Sequence, residues 1–268
     1  MSTAQHAIAS KLGARTTAIE VVAGIDLSGT LAIVTGGYSG LGIETVAALV
    51  GAGATVIVPA RRPEARVGPG RESQLATNHL GHYVLANLLW PALHRDGGAR
   101  VIALSSTGHT LSGIRFDDPQ FDTGYDKWQA YGQAKTADSL FAIELDRLGA
   151  PFGVRAFAVH PGGIMTALQR HLPREEMIAS GWMTDDGTVN ERFKSPQESA
   201  ATSVWAATSR SSKAWAGSTA RTATSRSLRC RQPGGTGSRS RCPRAIDRTA
   251  ATRLWALSAT LTGVNAFA

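Results

Sequence analysis

The chain has 268 residues, 43% of them hydrophobic and 18% charged, and its mean hydropathy is −0.09. This length allows one α/β domain or two small ones with a substantial core. No run of about 18 apolar residues occurs, which argues against a membrane span, and the first residues lack the apolar block of a signal peptide. Two cysteines make neither a disulfide framework nor a metal site. We therefore expect a cytoplasmic protein.

The basic charge is confined to one segment. The formal net charge is +8, but residues 210–244 hold eight Arg, one Lys and no acidic residue, so the rest of the chain sums to −1. The segment has no apolar period, and we predict that residues 209–244 are basic and disordered. This segment has no aromatic residues regularly spaced among its basic ones and no ordered scaffold. Nucleic-acid binding is therefore the least favoured function, and no nucleic-acid partner is expected.

Residues 1–25 are predicted to form an N-terminal helical extension. Four apolar residues would dock its short helix: Ala18, Ile19, Val21 and Val22. A loosely held terminus explains the same residues equally well.

A glycine-rich turn follows the first predicted strand. Leu31–Val34 is a short apolar run, typical of a buried parallel strand, and a helical pattern runs from Ile43 to Val50. Between them, residues 35–42 read Thr-Gly-Gly-Tyr-Ser-Gly-Leu-Gly. Backbone N–H groups and the positive end of the helix dipole at such a turn can hold a pyrophosphate. In this context we predict a dinucleotide site, with a merely tight turn as the alternative.

A second apolar strand, Ala54–Val58, is followed by Arg61 and Arg62. In a doubly wound fold the end of this strand faces the adenosine ribose, where an acidic residue suits a free 2′-hydroxyl and arginine suits a 2′-phosphate. We therefore predict NADP(H) in preference to NAD(H), unless both arginines are ordinary turn charges.

Two later elements carry polar residues that need a reason. A predicted helix over 74–93 carries Asn78 on an otherwise apolar side. A third buried strand, Val101–Leu104, ends at Ser105 and Ser106, and the chemistry of open α/β sheets occurs at the carboxyl ends of strands.

A long predicted helix over 128–148 carries Tyr131 and Lys135. Residues four apart lie on one helix face, and a fixed ammonium beside a phenol favours the phenolate. Tyr131 is therefore a candidate general acid/base. Alone, this spacing is a weak signal, because such pairs usually lie on a solvated face; the upstream turn and the serines strengthen it.

The remaining elements complete an α/β pattern. A fourth strand, Val154–Val159, is followed by a flexible apolar flap over 168–190, and a C-terminal helix and tail occupy 245–268. Four histidines are interpreted as packing or surface residues, because none has a second ligand at metal spacing: His79, His82, His109 and His160. We predict no metal site.

These motifs together resemble the short-chain dehydrogenase/reductase family, and the Thr-Asn-His-Leu-Gly-His sequence at 77–82 resembles its retinol-dehydrogenase-like branch. The matching marks are Thr-Gly-x-x-x-Gly-x-Gly, Asn78, Ser106, Tyr-x-x-x-Lys and the Pro-Gly at 161–162. The resemblance covers 26–205 and recurs at 245–268. It implies a Rossmann-like, doubly wound parallel sheet, with 26–205 as the catalytic and nucleotide-binding domain.

The resemblance also implies a role for each matching residue. Tyr131 would transfer a proton at the carbonyl or carbinol oxygen, Ser106 would hydrogen-bond that oxygen, and Lys135 would hold the nicotinamide ribose. Asn78 would support a water-linked proton path through a local helix distortion. Ser105 is an alternative to Ser106, and a simple backbone cap is an alternative role for Asn78. Besides Tyr131 and Lys135, the implied cofactor contacts are Gly36, Tyr38, Ser39, Gly40, Leu41, Gly42, Arg61, Arg62, Pro161, Gly162 and Thr166.

The chain departs from the family pattern between the second strand and Asn78. The family has two further strands there, whereas only 60–73 makes the connection here, and one parallel crossover takes about a dozen residues. We expect fewer strands than in the family. The sheet must keep a central gap, with buried unpaired groups costing about 1–3 kcal/mol each, or close it and displace Ser106 and Tyr131 by about 4.8 Å.

A second departure is the basic segment, where the family has its last strand. A one-base frame change over 213–226, with GC-rich codons, can give a family-like sequence. We hypothesise a compensated frameshift, which the nucleotide sequence tests directly.

The predicted function is NADP(H)-dependent oxidoreduction of a small apolar carbonyl or secondary alcohol. A catalytically impaired relative that lacks central strands is the main alternative. Relatives often pair through the helices at 74–93 and 128–148, so homo-oligomerisation remains open.

Overall fold

The computed structural model describes residues 12–59, 71–95, 97–209, 219–221 and 246–268. Arg61, Arg62 and most of the segment predicted to be disordered lie outside these residues. Along the described chain the elements are α1 (Ala18–Val22), β1 (Leu31–Ile33), α2 (Leu41–Gly51), β2 (Thr55–Ile57), α3 (Ser73–Leu75), a π-helical turn (Ala76–Leu80), α4 (Gly81–Leu88), α5 (Trp90–Leu93), β3 (Arg100–Leu104), a 3-10 turn (Thr107–Thr110), α6 (Lys127–Gly149), a 3-10 turn (Ala150–Phe152), β4 (Arg155–His160), a 3-10 turn (Ala167–His171), α7 (Arg174–Ala179), α8 (Pro196–Thr208), β5 (Thr219–Arg221) and α9 (Arg248–Thr262). None of these helices is long and apolar enough to cross a membrane.

The described strands form two parallel sheets instead of one. Among the described strands, β1 pairs only with β2, with Ile33 opposite Ile57, and β3 pairs with β4, which pairs with β5. β1 and β3 are therefore both edge strands among the described residues. Of the two outcomes expected from the short connection, the open gap is the one observed, since β3 does not pair with β1. We call this boundary between the two sheets the seam.

Helix α8 connects the two sheets. Ala200, Ala201 and Val204 pack in one apolar cluster with α1 and α2, while Ala206 packs on Phe157 of β4. Arg100, at the start of β3, donates hydrogen bonds to the carbonyls of Ala206 and Ala207 at 3.2 and 2.7 Å. The last turn of α8 is thereby fixed to the β3 sheet, and its apolar side is fixed to the β1 sheet.

The prediction that β1 is a buried strand is wrong for one of its two faces. Ala32 packs with α1, α2 and α8, but Leu31 and Ile33 are 62% and 41% exposed. Successive strand residues point to opposite faces, and these helices cover only one of them. On β2, Ile57 is exposed on the same bare face.

Helix α6 lies at the centre of the other half. The Asp126 carboxylate caps it by accepting hydrogen bonds from the N–H groups of Trp128 and Gln129. Farther along, Phe141 is buried and stacks on Trp255 of α9, with ring centroids 6.0 Å apart. This packing fixes the helix that carries Tyr131 against β3 and β4.

Candidate active site

Tyr131 and Ser106 lie beside each other at the carboxyl end of β3. The Ser106 hydroxyl begins the following 3-10 turn by accepting a hydrogen bond from the Gly108 N–H at 3.1 Å. A Cβ built on Gly108 would lie 2.4 Å from Tyr131 Cε1 and 3.5 Å from Ser106 Oγ, so these two atoms are at most 5.9 Å apart. A substrate oxygen between the phenol and the hydroxyl can therefore contact both.

Ser105 is already committed to other partners. Its hydroxyl donates to the Lys135 carbonyl at 2.9 Å and shares a hydrogen bond with the Ser139 hydroxyl at 2.8 Å. The residue is 3% exposed, whereas Ser106 is half-buried. Of the two serines that the sequence left open, the geometry favours Ser106.

The Lys135 ammonium lies at the seam. Its Nζ donates to the Leu104 carbonyl at 2.8 Å and to Asp138 Oδ2 at 2.9 Å. The Ser105 N–H donates to Val159 in β4, and the two ends of a trans peptide point in opposite directions, so the Leu104 carbonyl lies on the open edge of β3. Burial lowers the pKa of Lys135, but the charges of Asp138 and Tyr131 together with the Asp138 hydrogen bond outweigh burial, and the net pKa is raised.

The helix distortion predicted at Asn78 is present. Residues 76–80 form the π-helical turn, so the single helix predicted over 74–93 is instead a series of short ones. Asn78 Nδ2 donates to the Gln74 carbonyl at 3.0 Å, as a backbone cap would. His82 Nδ1 donates to the Asn78 carbonyl at 2.8 Å, and its Nε2 is 3.2 Å from the Thr35 hydroxyl. His82, interpreted from sequence as a packing or surface residue, therefore connects this helix to the glycine-rich turn.

The glycine-rich turn has the shape of an anion cradle. Gly36 and Gly40 have positive φ values of 69° and 50°, and no atom lies within 4 Å of a Cβ built on Gly36. A Cβ on Gly42 would be 2.1 Å from the Gly36 carbonyl oxygen, so glycine alone fits there. Helix α2 begins at Leu41 without a side-chain cap, which leaves N–H groups of its first turn for a ligand. These residues fit the pyrophosphate of a dinucleotide.

The other predicted cofactor residues lie on both sides of the turn. Tyr38 is exposed, and the Ser39 carbonyl accepts the Gly42 N–H at 3.0 Å. Thr166 comes within 3.8 Å of a Cβ built on Gly40, which places the segment after β4 beside the turn. Pro161 and Gly162 lead into this segment, and Gly162 has a φ of 104°.

An aromatic wall stands next to Tyr131. The Trp128 ring packs edge-on against the Tyr131 ring and against Trp182 of the predicted flap, with ring centroids 6.4 and 6.0 Å apart. Glu176 of α7 accepts hydrogen bonds from Lys127 Nζ and Trp128 Nε1, both at 2.6 Å, and the Lys127 and Trp128 bonds lower the pKa of its carboxyl. The flap is thereby held against the first turn of α6.

Known proteins are similar to this chain over different shares of its length. The chain is 36% identical over 296 aligned residues to a probable oxidoreductase of Streptomyces lividans, covering 86% of this chain and 97% of that one. Since 86% of 268 residues is about 230, about 65 aligned positions have no counterpart here. It is also 36% identical over 149 residues to the short-chain dehydrogenase/reductase prx1 of Penicillium roqueforti, covering 54% of this chain and 43% of that one. Retinol dehydrogenase 12 of Bos taurus is 43% identical over 109 residues, which cover 41% of this chain and 34% of that enzyme.

Solved structures share the fold. An uncharacterised protein from Mycobacterium paratuberculosis superposes with a TM-score of 0.63 at 26% identity, covering 97% of this chain and all of that one. L-sorbose reductase from Gluconobacter frateurii, complexed with NADPH and L-sorbose, has a TM-score of 0.53 at 17% identity over 74% of this chain and 96% of its own. No family model matches the sequence. The relatives and the shared fold nevertheless show that the chain belongs to the short-chain dehydrogenase/reductase family of oxidoreductases, with fewer described strands than its sheet usually has.

Proposed function

We propose that the chain binds NADP(H) and catalyses hydride transfer between the nicotinamide and a small apolar carbonyl or secondary alcohol. The observation that carries the proposal is that Tyr131 Cε1 and Ser106 Oγ lie at most 5.9 Å apart at the carboxyl end of β3. This is the edge of an open α/β sheet where ligands bind.

The proton chemistry would be carried by this chain's own side chains. In the reductive direction the Tyr131 phenol gives its proton to the substrate oxygen, and in the oxidative direction the phenolate takes it back. The Ser106 hydroxyl donates a hydrogen bond to the same oxygen and stabilises the charge that develops there. When bound, the nicotinamide supplies or accepts the hydride.

The cofactor would be held by the glycine-rich turn and by Thr166. The Gly36 cradle and the uncapped start of α2 suit a pyrophosphate. The preference for NADP(H) rests on Arg61 and Arg62 in the sequence, and the relative with 17% identity that is complexed with NADPH is in keeping with it. The aromatic wall of Trp128 and Trp182 is the basis for proposing an apolar substrate. That the protein is cytoplasmic and that it associates with itself are proposals based on the sequence.

Two variants test the proposal. NADPH binding, followed by cofactor fluorescence, is expected to be lost in Gly40→Asp, because aspartate brings a negative charge and a side chain to a turn with positive φ. Turnover of a panel of carbonyl compounds is expected to disappear in Tyr131→Phe while NADPH binding persists. Full turnover in Tyr131→Phe would refute the role of the phenol.

The open seam supports one alternative, a family member with impaired catalysis. Its glycine-rich turn belongs to the β1 sheet and its Tyr131 belongs to the β3 half, so no pairing between described strands fixes their relative placement. A folded protein with weak NADPH binding and no turnover across the carbonyl panel would favour this alternative over an active enzyme.

A further inference from the structure

A buried ion pair joins the candidate catalytic lysine to a carboxylate on the same helix. Lys135 Nζ and Asp138 Oδ2 are 2.9 Å apart, and their side chains are only 12% and 6% exposed. Asp138 lies three residues after Lys135, so the two side chains share the helix face that also carries Tyr131. The sequence motif alone gives this carboxylate no role.

The ammonium is held from two directions. Asp138 attracts it from the helix, and the Leu104 carbonyl accepts from it at the open edge of β3. Two of its three N–H donors are therefore used inside the protein. A ribose hydroxyl must therefore accept a hydrogen bond from the third N–H of Lys135 or displace one of the two partners. Displacing Asp138 is costly, because charge-assisted hydrogen bonds are about twice as strong as neutral ones.

The carboxylate also changes the field that acts on Tyr131. An isolated ammonium favours the phenolate of a neighbouring tyrosine, but an ammonium paired with an anion acts outward as a dipole, whose field falls off faster. Within the described part of the chain, the other charged group that acts on Asp138 is His82 on α4, which hydrogen-bonds to Asn78 and Thr35. His82 is exposed, so solvent screens its influence more than that of Lys135.

We propose that Asp138 is a positioning residue that holds the Lys135 ammonium on the open edge of β3, and thereby limits its action on Tyr131 and on the nicotinamide ribose. This inference rests on the proposed function, because it assigns Lys135 to the same cofactor and the same phenol. The inference adds to that function a restraint on Lys135, which Asp138 of the same helix supplies.

The first measurement needs no turnover. Asp138→Asn keeps a side-chain oxygen for the ammonium and removes the negative charge. Without that charge the buried ammonium loses its proton more easily, and only the free amine reacts with acetic anhydride. We expect acylation of Lys135 at pH 7, quantified by peptide mass spectrometry, to become about tenfold faster than in the wild type. If Asp138→Asn folds poorly, Asp138→Ser removes the charge with a smaller side chain.

Two variants serve as controls. Asp146→Asn removes another buried carboxylate of α6, which pairs with Arg155 at 2.8 Å, and should leave Lys135 acylation unchanged. Asp138→Glu keeps the charge and should stay near the wild-type rate. Unchanged Lys135 acylation in Asp138→Asn would overturn the proposal.

The second measurement concerns binding and catalysis. In Asp138→Asn we expect NADPH to bind about tenfold more tightly, since a neutral acceptor competes less well for the ammonium. The rising limb of the kcat/KM pH profile should move to lower pH, which a merely structural role for Asp138 would not cause. Weaker NADPH binding in Asp138→Asn, together with faster acylation of Lys135, would refute the proposal that Asp138 restrains Lys135. Faster acylation without NADPH binding in any variant would instead refute the proposed function and support the ion pair's control of Lys135.

Discussion

Gly108 offers a direct test of the site geometry, because alanine there would collide with Tyr131. An added Cβ would lie 2.4 Å from Tyr131 Cε1, whereas ordinary contacts begin at 3.4 Å, so the ring must move by about 1 Å. Gly108 has no left-handed φ, so alanine adds no backbone strain. A displacement of about 1 Å at a reacting group can reduce the rate about a hundredfold, and overpacking costs about 1–3 kcal/mol.

The assay for Gly108→Ala is kcat/KM with NADPH and a reactive carbonyl, together with thermal unfolding. We expect kcat/KM to fall about a hundredfold and Tm to fall by about 2–4 °C per kcal/mol lost. Gly51→Ala at the end of α2 is the matched control, because no atom lies within 4 Å of its Cβ and its φ is ordinary. It should keep full activity and gain up to about 1 kcal/mol. Wild-type activity and Tm in Gly108→Ala would refute the placement of the Tyr131 ring.

Three further predictions concern acid stability, the flap and the seam. Burial lowers the pKa of His79 to about 3, so below about pH 6.5 the unfolded chain binds a proton that the folded protein does not. The free energy of unfolding should therefore fall by up to about 4 kcal/mol as the pH is lowered from about 6.5 to about 3. Urea titrations of His79→Gln should show a weaker dependence of the free energy of unfolding on pH over this range. Glu176→Gln weakens the bonds that hold the flap and should raise KM more than it lowers kcat; equal changes in both would contradict this. Arg100→Met removes two hydrogen bonds to the end of α8 and should lower the free energy of unfolding by about 2–4 kcal/mol in urea, while an unchanged midpoint would show that α8 needs no such anchor.

Local patterns in the sequence were sufficient to predict most elements. The run predicted at Leu31–Val34 is observed as Leu31–Ile33, and the helix predicted over 128–148 is observed as Lys127–Gly149. Hydrophobic periodicity and caps such as Asp126 act over a few residues, so they are visible without the fold. The shared face of Tyr131 and Lys135 follows from helical spacing for the same reason.

Longer-range features could not be predicted in the same way. The sequence allowed either an open or a closed sheet, because strand pairing depends on residues far apart in the chain. The fit of the Tyr131 ring on Gly108 and the anchoring of Glu176 by Trp128 are likewise contacts between distant segments. Asp138 is different, since its position three residues after Lys135 is visible in the sequence, and only the burial of the ion pair suggests the role proposed for it.

The seam separates the two groups of motifs on which the proposed function depends. The glycine-rich turn belongs to the β1 sheet, while Tyr131 and Ser106 belong to the β3 half, and the proposed hydride transfer needs both halves in register. Across the seam the described contacts include the packing of α8, the His82–Thr35 hydrogen bond, the approach of Thr166 to Gly40 and the hydrogen bonds from Arg15 to the carbonyls of Glu191 and Phe193. A continuous sheet would hold the two halves through a ladder of backbone hydrogen bonds, each resisting a shift along the strands. Since an error of about 1 Å can cost about a hundredfold in rate, we expect the stiffness of this junction, more than the identity of the candidate catalytic side chains, to limit the rate of the proposed reaction.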